Sequence, residues 1–528
     1  MKGLFAQTVG NRPKKNAFNL SHERKFSMKM GDLIPILCEE ILPGDAWRCN
    51  SEVMLRMAPM LAPIMHRVNV YTHYFFVPNR IIWEEWEDFI TGGEDGTELP
   101  IMPFFTQAGL TTSDRAAKGT LADYLGCATA TAAAVGTDRG VSALPFRAYQ
   151  KIYNEYYRDQ NLETEITVPV GSGEQSGSNL TAMVVLRKRA WEKDYFTSAL
   201  PWTQRGSEVT IPLAGSADVN LKTNYSSIGK QKVYDQTGVP GGINNALQVQ
   251  ATSADLNAVT GSVDMWLDPN NTMEADMSSV SATTIEELRK ATKLQQWLER
   301  SARGGARYIE KILSHFGVVS SDARLQRPQF LGGGKTPVVI SEVLQTSSTD
   351  TETPQANMAG HAVAVGNSHR FKNSFEEHGY IIGIISVLPK TAYQQGTRKH
   401  LLKDDKFDYY WPEFAQLGEQ PVLQGELYDD YVTSNRDATF GYQSRYSEYK
   451  YIPSSVHGDF KDDLSFWHMG RIFTSAPALN NSFIKADTSA INTRVFAAGD
   501  TEEQLWCQVY NDISAIRPIP KFNNPSLL

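Results

Sequence analysis

The sequence predicts a mainly β fold elaborated by long loops, and three observations carry that prediction. Glycine and proline together supply 64 of 528 residues (39 and 25), scattered along the chain rather than clustered, which argues against a helical array. The 55 aromatic residues (10 Trp, 22 Tyr, 23 Phe) favour short strands between loops. No Pro-rich, Ser-rich or charged linker divides the chain, so one elaborated domain is expected rather than a string of small ones.

Taken in order, Met28 to Ile36 is a mixed apolar stretch followed by the turn-like LPGD of Leu42 to Asp45. His66 to Val77 alternates Val68, Val70, Thr72, Tyr74 and Phe76 on one face, a strand buried on at least one side. Asn79 to Ile90 sets Ile82, Trp86, Phe89 and Ile90 at helical spacing, with Gly92 and Gly93 as stop signals. A second helix is expected over Phe146 to Asp159, where Tyr149, Ile152, Tyr153 and Tyr156 recur at i, i+3, i+4, i+7. That aromatic stripe reads as core packing rather than a base-stacking platform. Between Ile211 and Ser281 Ser, Thr, Asn, Asp and Gly dominate and charges are few, the character of a surface insertion. A third helix starts at Thr283 or Thr284, each followed three residues later by a Glu in capping-box spacing, and runs to Gly304-Gly305. Strands resume at Tyr380 to Leu388, Gly441 to Tyr451 and Glu503 to Ile513.

Several function classes lack their signatures. The most apolar stretch, Tyr380 to Leu388, is far shorter than the roughly 20 residues of a spanning helix, and no apolar secretory h-region follows Met1, so no membrane insertion is expected. Cys38, Cys49, Cys127 and Cys507 contain no C-x-x-C pair and are too sparse for a disulfide scaffold; they read as reduced and mostly buried. LGGGKT, Leu331 to Thr336, has Gln329 where a phosphate-binding loop needs Gly and Pro337 where its helix should begin, so it reads as a glycine-rich turn. The densest histidine grouping, His361, His369 and His378 with Glu376 and Glu377, lacks metal-ligand spacing. The carboxylate pairs Asp404-Asp405 and Asp462-Asp463 sit beside lysines, as solvated loops do. G-x-S-x-G and G-x-G-x-x-G are absent. No catalytic residue, metal or cofactor is assigned, and the chain does not read as an enzyme.

Charge is more informative. The chain is acidic overall, 51 Lys and Arg against 59 Asp and Glu. Residues 1–30 nevertheless hold Lys2, Arg12, Lys14, Lys15, Arg24, Lys25 and Lys29 against Glu23 alone, a surplus of +6. A basic arm thus precedes an acidic body, and such arms contact polyanions through counterion release or simply remain solvated.

Long ordered segments carry a resemblance. VYTHYFFVPNRIIWEEWEDFITGG (Val70 to Gly93), LPFRAYQKIYNEYYRDQNL (Leu144 to Leu162), LPWTQRG (Leu200 to Gly206), ERSARGGARYIEKILSHFGV (Glu299 to Val318), LQRPQFLGGG (Leu325 to Gly334), EVLQTSS (Glu342 to Ser348), SRYSEYKYIPSSVHGDF (Ser444 to Phe460) and FWHMGRIF (Phe466 to Phe473) resemble the major capsid protein of microviruses, small tailless single-stranded DNA phages, leaning to the gokushovirus-like branch. The resemblance implies an eight-stranded antiparallel viral jelly roll with helix-bearing loop insertions, assembled as many copies into a T=1-type icosahedral shell around circular single-stranded DNA. It implies a virion protein assembled in the host bacterial cytoplasm. Its partners would be further copies of itself, the genome, a small basic DNA-packaging protein, an internal scaffolding protein, a DNA pilot protein and a host surface receptor.

On that reading residues 1–30 form the basic arm, 31–210 the first part of the jelly roll with helical insertions, 211–281 a surface insertion protruding at three-fold axes and used in host attachment, and 282–528 a helical insertion with the rest of the jelly roll. Strands near 28–77 and 375–515 would close the barrel, leaving the middle as insertion. Arg12, Lys14, Lys15, Arg24 and Lys25 are the DNA-facing candidates, although an arm lying along a neighbouring subunit explains them as well. The alternative is a β-rich carbohydrate-binding or hydrolytic surface protein, which scattered carboxylate pairs would suit and the missing secretory signal disfavours.

Overall fold

A computed structural model describes residues 13–111, 115–129, 139–210, 218–221, 273–276, 284–346 and 355–522. Ten of the described strands join one antiparallel sheet: β1 (Asn16–Asn19), β2 (His22–Met28), β3 (Ile34–Ile41), β4 (Ala46–Met57), β5 (Val68–Pro78), β6 (Gln329–Pro337), β7 (Val339–Leu344), β8 (Met358–Ser374), β9 (Gly379–Pro389) and β10 (Leu505–Arg517). Their spatial order is β1–β10–β4–β8–β6–β5–β9–β3, with β2 also on β10 and β7 on β8. The first and last of these strands are therefore neighbours. The chain is mainly β, and its ten-stranded sheet replaces the expected count of eight.

The sheet curls on itself. Alternation in β4 buries Trp47, Cys49, Ser51, Val53, Leu55 and Met57 on one face. These pack with Tyr74 and Phe76 of β5, Ile381 and Ile385 of β9, and Val509 and Ile513 of β10. Each large side chain taken fully from water contributes about 1.5–3 kcal/mol. A buried polar thread crosses this interior. Tyr74 Oη donates to Ser51 Oγ (2.6 Å), Ser51 Oγ to Asn511 Oδ1 (2.7 Å), and Asn511 Nδ2 to the Ile36 carbonyl (3.2 Å). That last bond joins β10, second in the strand order, to β3 at its far end.

A helical layer covers the outer face of β5 and β9. The helix α1 (Trp86–Thr91) ends at Gly92, whose φ of 82° is the left-handed stop glycine tolerates. Helix α2 (Leu144–Ile152), continued by a wider turn over Tyr153–Tyr157, sets Phe146, Tyr149 and Ile152 against Phe75, Val77, Ile382 and Ile384. The tyrosine stripe is thus core. Within the layer the fully buried Arg147 donates to the carbonyls of Ile82 (3.0 Å) and Gly171 (2.7 Å), and burial lowers its pKa to about 10.

Contact density divides the chain into two units. One runs to Arg205 and resumes at Glu299; the other is Gly206–Leu298. Within the second, Asp218–Leu221 pairs with Met273–Asp276. Helix α3 (Ile285–Gly304) begins in it under a capping box in which the Glu287 N–H donates to Thr284 Oγ1 (3.2 Å) and the Thr284 N–H donates to the Glu287 carboxylate (2.9 Å). Thr283 and most of 211–281 lie outside the described residues. Helix α4 (Tyr308–Phe316) follows in the first unit.

Four expectations need correction. LGGGKT is not a turn but part of β6, where glycine admits close backbone approach: a Cβ on Gly333 would meet the Thr72 carbonyl oxygen at 2.3 Å. Gln329–Pro337, Val339–Leu344 and Met358–Ser374 accordingly belong to the sheet and not to an insertion. The helix expected over Asn79 to Ile90 is split into a 3₁₀ turn (Asn79–Ile81) and α1, because the Glu84 N–H donates to the Val170 carbonyl and Ile82 and Trp83 anchor in the core. Gly441 to Tyr451 is extended only within Thr439–Ser444, since Tyr446 takes a left-handed φ of 61° that ends the strand.

The four cysteines are free thiols. Burial pushes Cys38 and Cys507 up to about 12 and Cys49 to about 11, so all three are held protonated. No helix among the described residues is long and apolar enough to cross a membrane.

Candidate nucleic-acid interface

The sheet face opposite the core is covered by helices over β5 and β9 but is exposed over β10, β4 and β8. Strand alternation decides what it displays. β10 buries Leu505, Cys507, Val509, Asn511 and Ile513, so Trp506, Tyr510 and Asp512 point outward. β4 likewise presents Arg48, Glu52 and Arg56, and β8 presents Arg370 and Lys372 beyond an irregularity at Gly366/His369. Register sets these side chains in rows: Trp506 opposite Arg56, Tyr510 opposite Glu52, and Ser514, Arg48 and Lys372 in line. Trp506 is 50% exposed. Among the described residues Arg48, Arg56, Arg370 and Lys372 have no ion-pair partner, so their charge is available to an external anion.

The basic arm joins this face as an edge rather than trailing free. β1 and β2 pair in turn with β10, Asn16 opposite Arg517 and Met28 opposite Leu505. Alternation then separates the DNA-facing candidates. Lys14 and Lys15 precede β1 and are exposed; Lys15 Nζ donates to the Gly44 carbonyl at 2.5 Å. Lys25 points outward beside Glu23, 3.3 Å away. Arg24 turns the other way and donates from Nη2 to the Tyr124 carbonyl at 2.6 Å, with burial lowering its pKa. Arg12 lies outside the described residues. Lys29 is engaged too, 3.1 Å from Asp500.

The structure thus brings Lys25 toward the exposed cationic face and takes Arg24 into the fold. Arg48, Arg56, Arg370, Lys372, Trp506 and Tyr510 were not singled out from the sequence. The period-2 pattern of Glu503 to Ile513 carries the signal for the two aromatics, but cations one or two at a time on separate strands become a patch only through register.

The histidine grouping is dispersed. His369 is fully buried, its ring nitrogens bonded to Thr72 Oγ1 (2.6 Å) and Thr336 Oγ1 (2.8 Å). His361 is exposed on β8, His378 lies 5.5 Å from the Trp86 ring, and Glu377 holds Arg80 at 2.6 Å. No cluster of three His, Cys, Asp or Glu able to hold a metal occurs among the described residues.

Comparison with known proteins places these observations. Residues 6–527 match the family model described as capsid protein (F protein). The chain is 37% identical to capsid protein VP1 of Bdellovibrio phage phiMH2K, covering 99% of this chain and 97% of the relative. It is 34% identical to capsid protein VP1 of Chlamydia phage 1 (100% and 98% covered) and 31% identical to that of Spiroplasma virus 4 (99% and 97%).

Proposed function

The chain belongs to the phage capsid protein (F protein) family, and from that premise we propose how this microvirus capsid subunit meets its genome and its host. Its role is structural, its place is the virion, and it acts as a homo-oligomeric shell. Near-complete coverage in both directions carries this reading: the relatives named capsid protein match along almost their whole length. In our reading the shell is T=1-type and encloses circular single-stranded DNA.

The genome side is the exposed face of β10, β4 and β8 with the arm at its edge. Unpaired Arg48, Arg56, Arg370 and Lys372 beside Trp506 and Tyr510 combine phosphate-neutralising charge with stacking rings, which suits sequence-independent binding of a single strand. Arg12, Lys14, Lys15 and Lys25 extend that charge; Arg24 serves the fold. A small basic packaging protein, an internal scaffolding protein and a DNA pilot protein are the expected assembly partners. Residues 211–281, rich in Ser, Thr, Asn and Gly, form the proposed three-fold protrusion that meets the host receptor, since exposed loops on a rigid scaffold carry such contacts.

Expression with the phage's other proteins tests the reading. Megadalton particles containing DNA are expected, and a chain that stays monomeric overturns it. Replacing Arg12, Lys14 and Lys15 by Ala should leave shells intact with less packaged DNA; failure to form shells, or unchanged packaging, counts against genome contact by the arm.

A further inference from the structure

One cleft of the first unit, about 1130 Å³, is basic although the chain is acidic. Its lining holds seven Lys and Arg against three carboxylates. At its floor Glu192 is shared by Tyr71 Oη, Lys390 (3.1 Å) and Lys335 (3.5 Å), while Arg189 lies over the Tyr71 ring, 4.1 Å from its centroid. Two lysines thus share one carboxylate, and Arg189, which has no ion-pair partner among the described residues, stands beside them on the Tyr71 ring. Phe330, on the cleft wall, leaves 46% of its surface exposed. The volume exceeds the roughly 300–1,000 Å³ of small-molecule sites, leaving room for a peptide segment.

Elsewhere in the same unit residues 84–98 carry seven carboxylates and no Lys, Arg or His. Six of the seven are exposed, and none has an ion-pair partner among the described residues. Around them Ile90, Leu99 and Ile101 are 51%, 83% and 62% exposed. No residue of 84–98 lines the cleft, so a chain does not fill its own.

We propose that the basic cleft receives the acidic 84–98 segment of a second copy of this chain, its carboxylates meeting Lys335, Lys390 and Arg189 and its apolar side chains meeting Phe330. This rests on the capsid reading and adds a specific subunit contact to it. Charge complementarity argues for it. Arg158, Arg303 and Arg307 are paired with carboxylates beside the cleft, but Lys335 and Lys390 share the one carboxylate of Glu192 and Arg189 has no ion-pair partner among the described residues. That leaves a local surplus of two cations for seven carboxylates that lack an ion pair among those residues. So does the existing arrangement, since Glu192 shows that this cluster already accommodates a carboxylate. The contact joins two different surfaces, and head-to-tail contacts of that kind close rings of identical subunits.

Charge reversal tests it in the full chain. Lys335→Glu with Lys390→Glu should reduce particle yield by about tenfold or more, because like charges then face each other across the contact. Glu87→Lys with Glu94→Lys should do the same. Combining all four substitutions should restore particles. Normal yield in either charge-reversed variant overturns the proposal, as does a combined variant that melts like the wild type yet fails to assemble. Particles at normal yield that have lost DNA would assign the cleft to genome phosphates instead. Should the Lys335→Glu, Lys390→Glu chain not fold, Lys335→Gln with Lys390→Gln is read in its place, and normal yield there also overturns the proposal. A wild-type chain that forms no particles would instead defeat the capsid reading.

Discussion

Arg24 donates from its guanidinium to the backbone carbonyl of Tyr124 at 2.6 Å, across 100 residues of sequence. Tyr124 holds the same strand twice more: its hydroxyl donates to the Ser27 carbonyl at 2.8 Å and its ring meets Phe26 edge to face at 6.3 Å. One tyrosine thereby fixes β2 on the edge of the sheet, and a cation that looks available in the sequence is committed to the fold.

Arg24→Ala should therefore destabilise the subunit by about 1.5–3 kcal/mol, the range for a hydrogen bond from a charged donor. Lys25→Ala should change stability by less than about 0.5 kcal/mol, because its pair with Glu23 is exposed. Chemical denaturation of the two variants distinguishes them, and equal effects would refute this division of the arm.

Trp506→Ala should weaken binding of a single-stranded oligonucleotide by about 1–3 kcal/mol, the loss of one stacked base. The side chain is half exposed, so folding stability should stay within about 0.5 kcal/mol. Arg56→Ala, in the same cross-strand row, should lower the slope of log affinity against log salt by about 0.7. Fluorescence titration at several salt concentrations measures both, and unchanged affinity in both variants would remove this face from the genome contact.

Thr336→Val should cost about 1–3 kcal/mol, since it keeps the shape and leaves one nitrogen of the fully buried His369 without its partner. Thr336→Ser, which retains the hydroxyl, should recover most of that loss. A valine variant as stable as wild type would show that the bond contributes little.

Acidification should destabilise the fold through His66 and His73. Burial is the main cause lowering each from 6.5 to about 4. In the unfolded chain these rings take up protons below about 6.5, whereas in the fold they stay neutral until about 4. Their contribution is therefore complete above pH 6.5 and lost as pH falls toward 4. Asp32 has the opposite sign: burial raises it to about 6, so it favours the fold below about 4 and loses that contribution as pH rises to 6. Asp32→Asn should accordingly raise the melting temperature at pH 7.5 and leave it nearly unchanged at pH 4, whereas His66→Gln should flatten the loss between pH 6.5 and 4. Melting curves across that range check both signs.

What the sequence alone determined was local. Period-2 alternation in His66 to Val77, the strand at Glu503 to Ile513, the tyrosine stripe after Phe146 and the capping box at Thr283 or Thr284 each follow from residues within a dozen positions, and the structure contains the corresponding strands and helices, with Thr284 as the cap. The long family segments likewise pointed to the capsid. Tertiary structure decided what depends on distant partners. Asn511 closes the sheet onto Ile36 across 475 residues, and neither residue announces the other. Gly332 to Gly334 resemble a turn until β5 and β8 are seen on either side of them, where glycine serves close strand packing. Arg24 and Lys25 are adjacent and equally basic, yet a strand sends alternate side chains to opposite faces, so only pairing with β10 decides which cation enters the fold and which meets solvent.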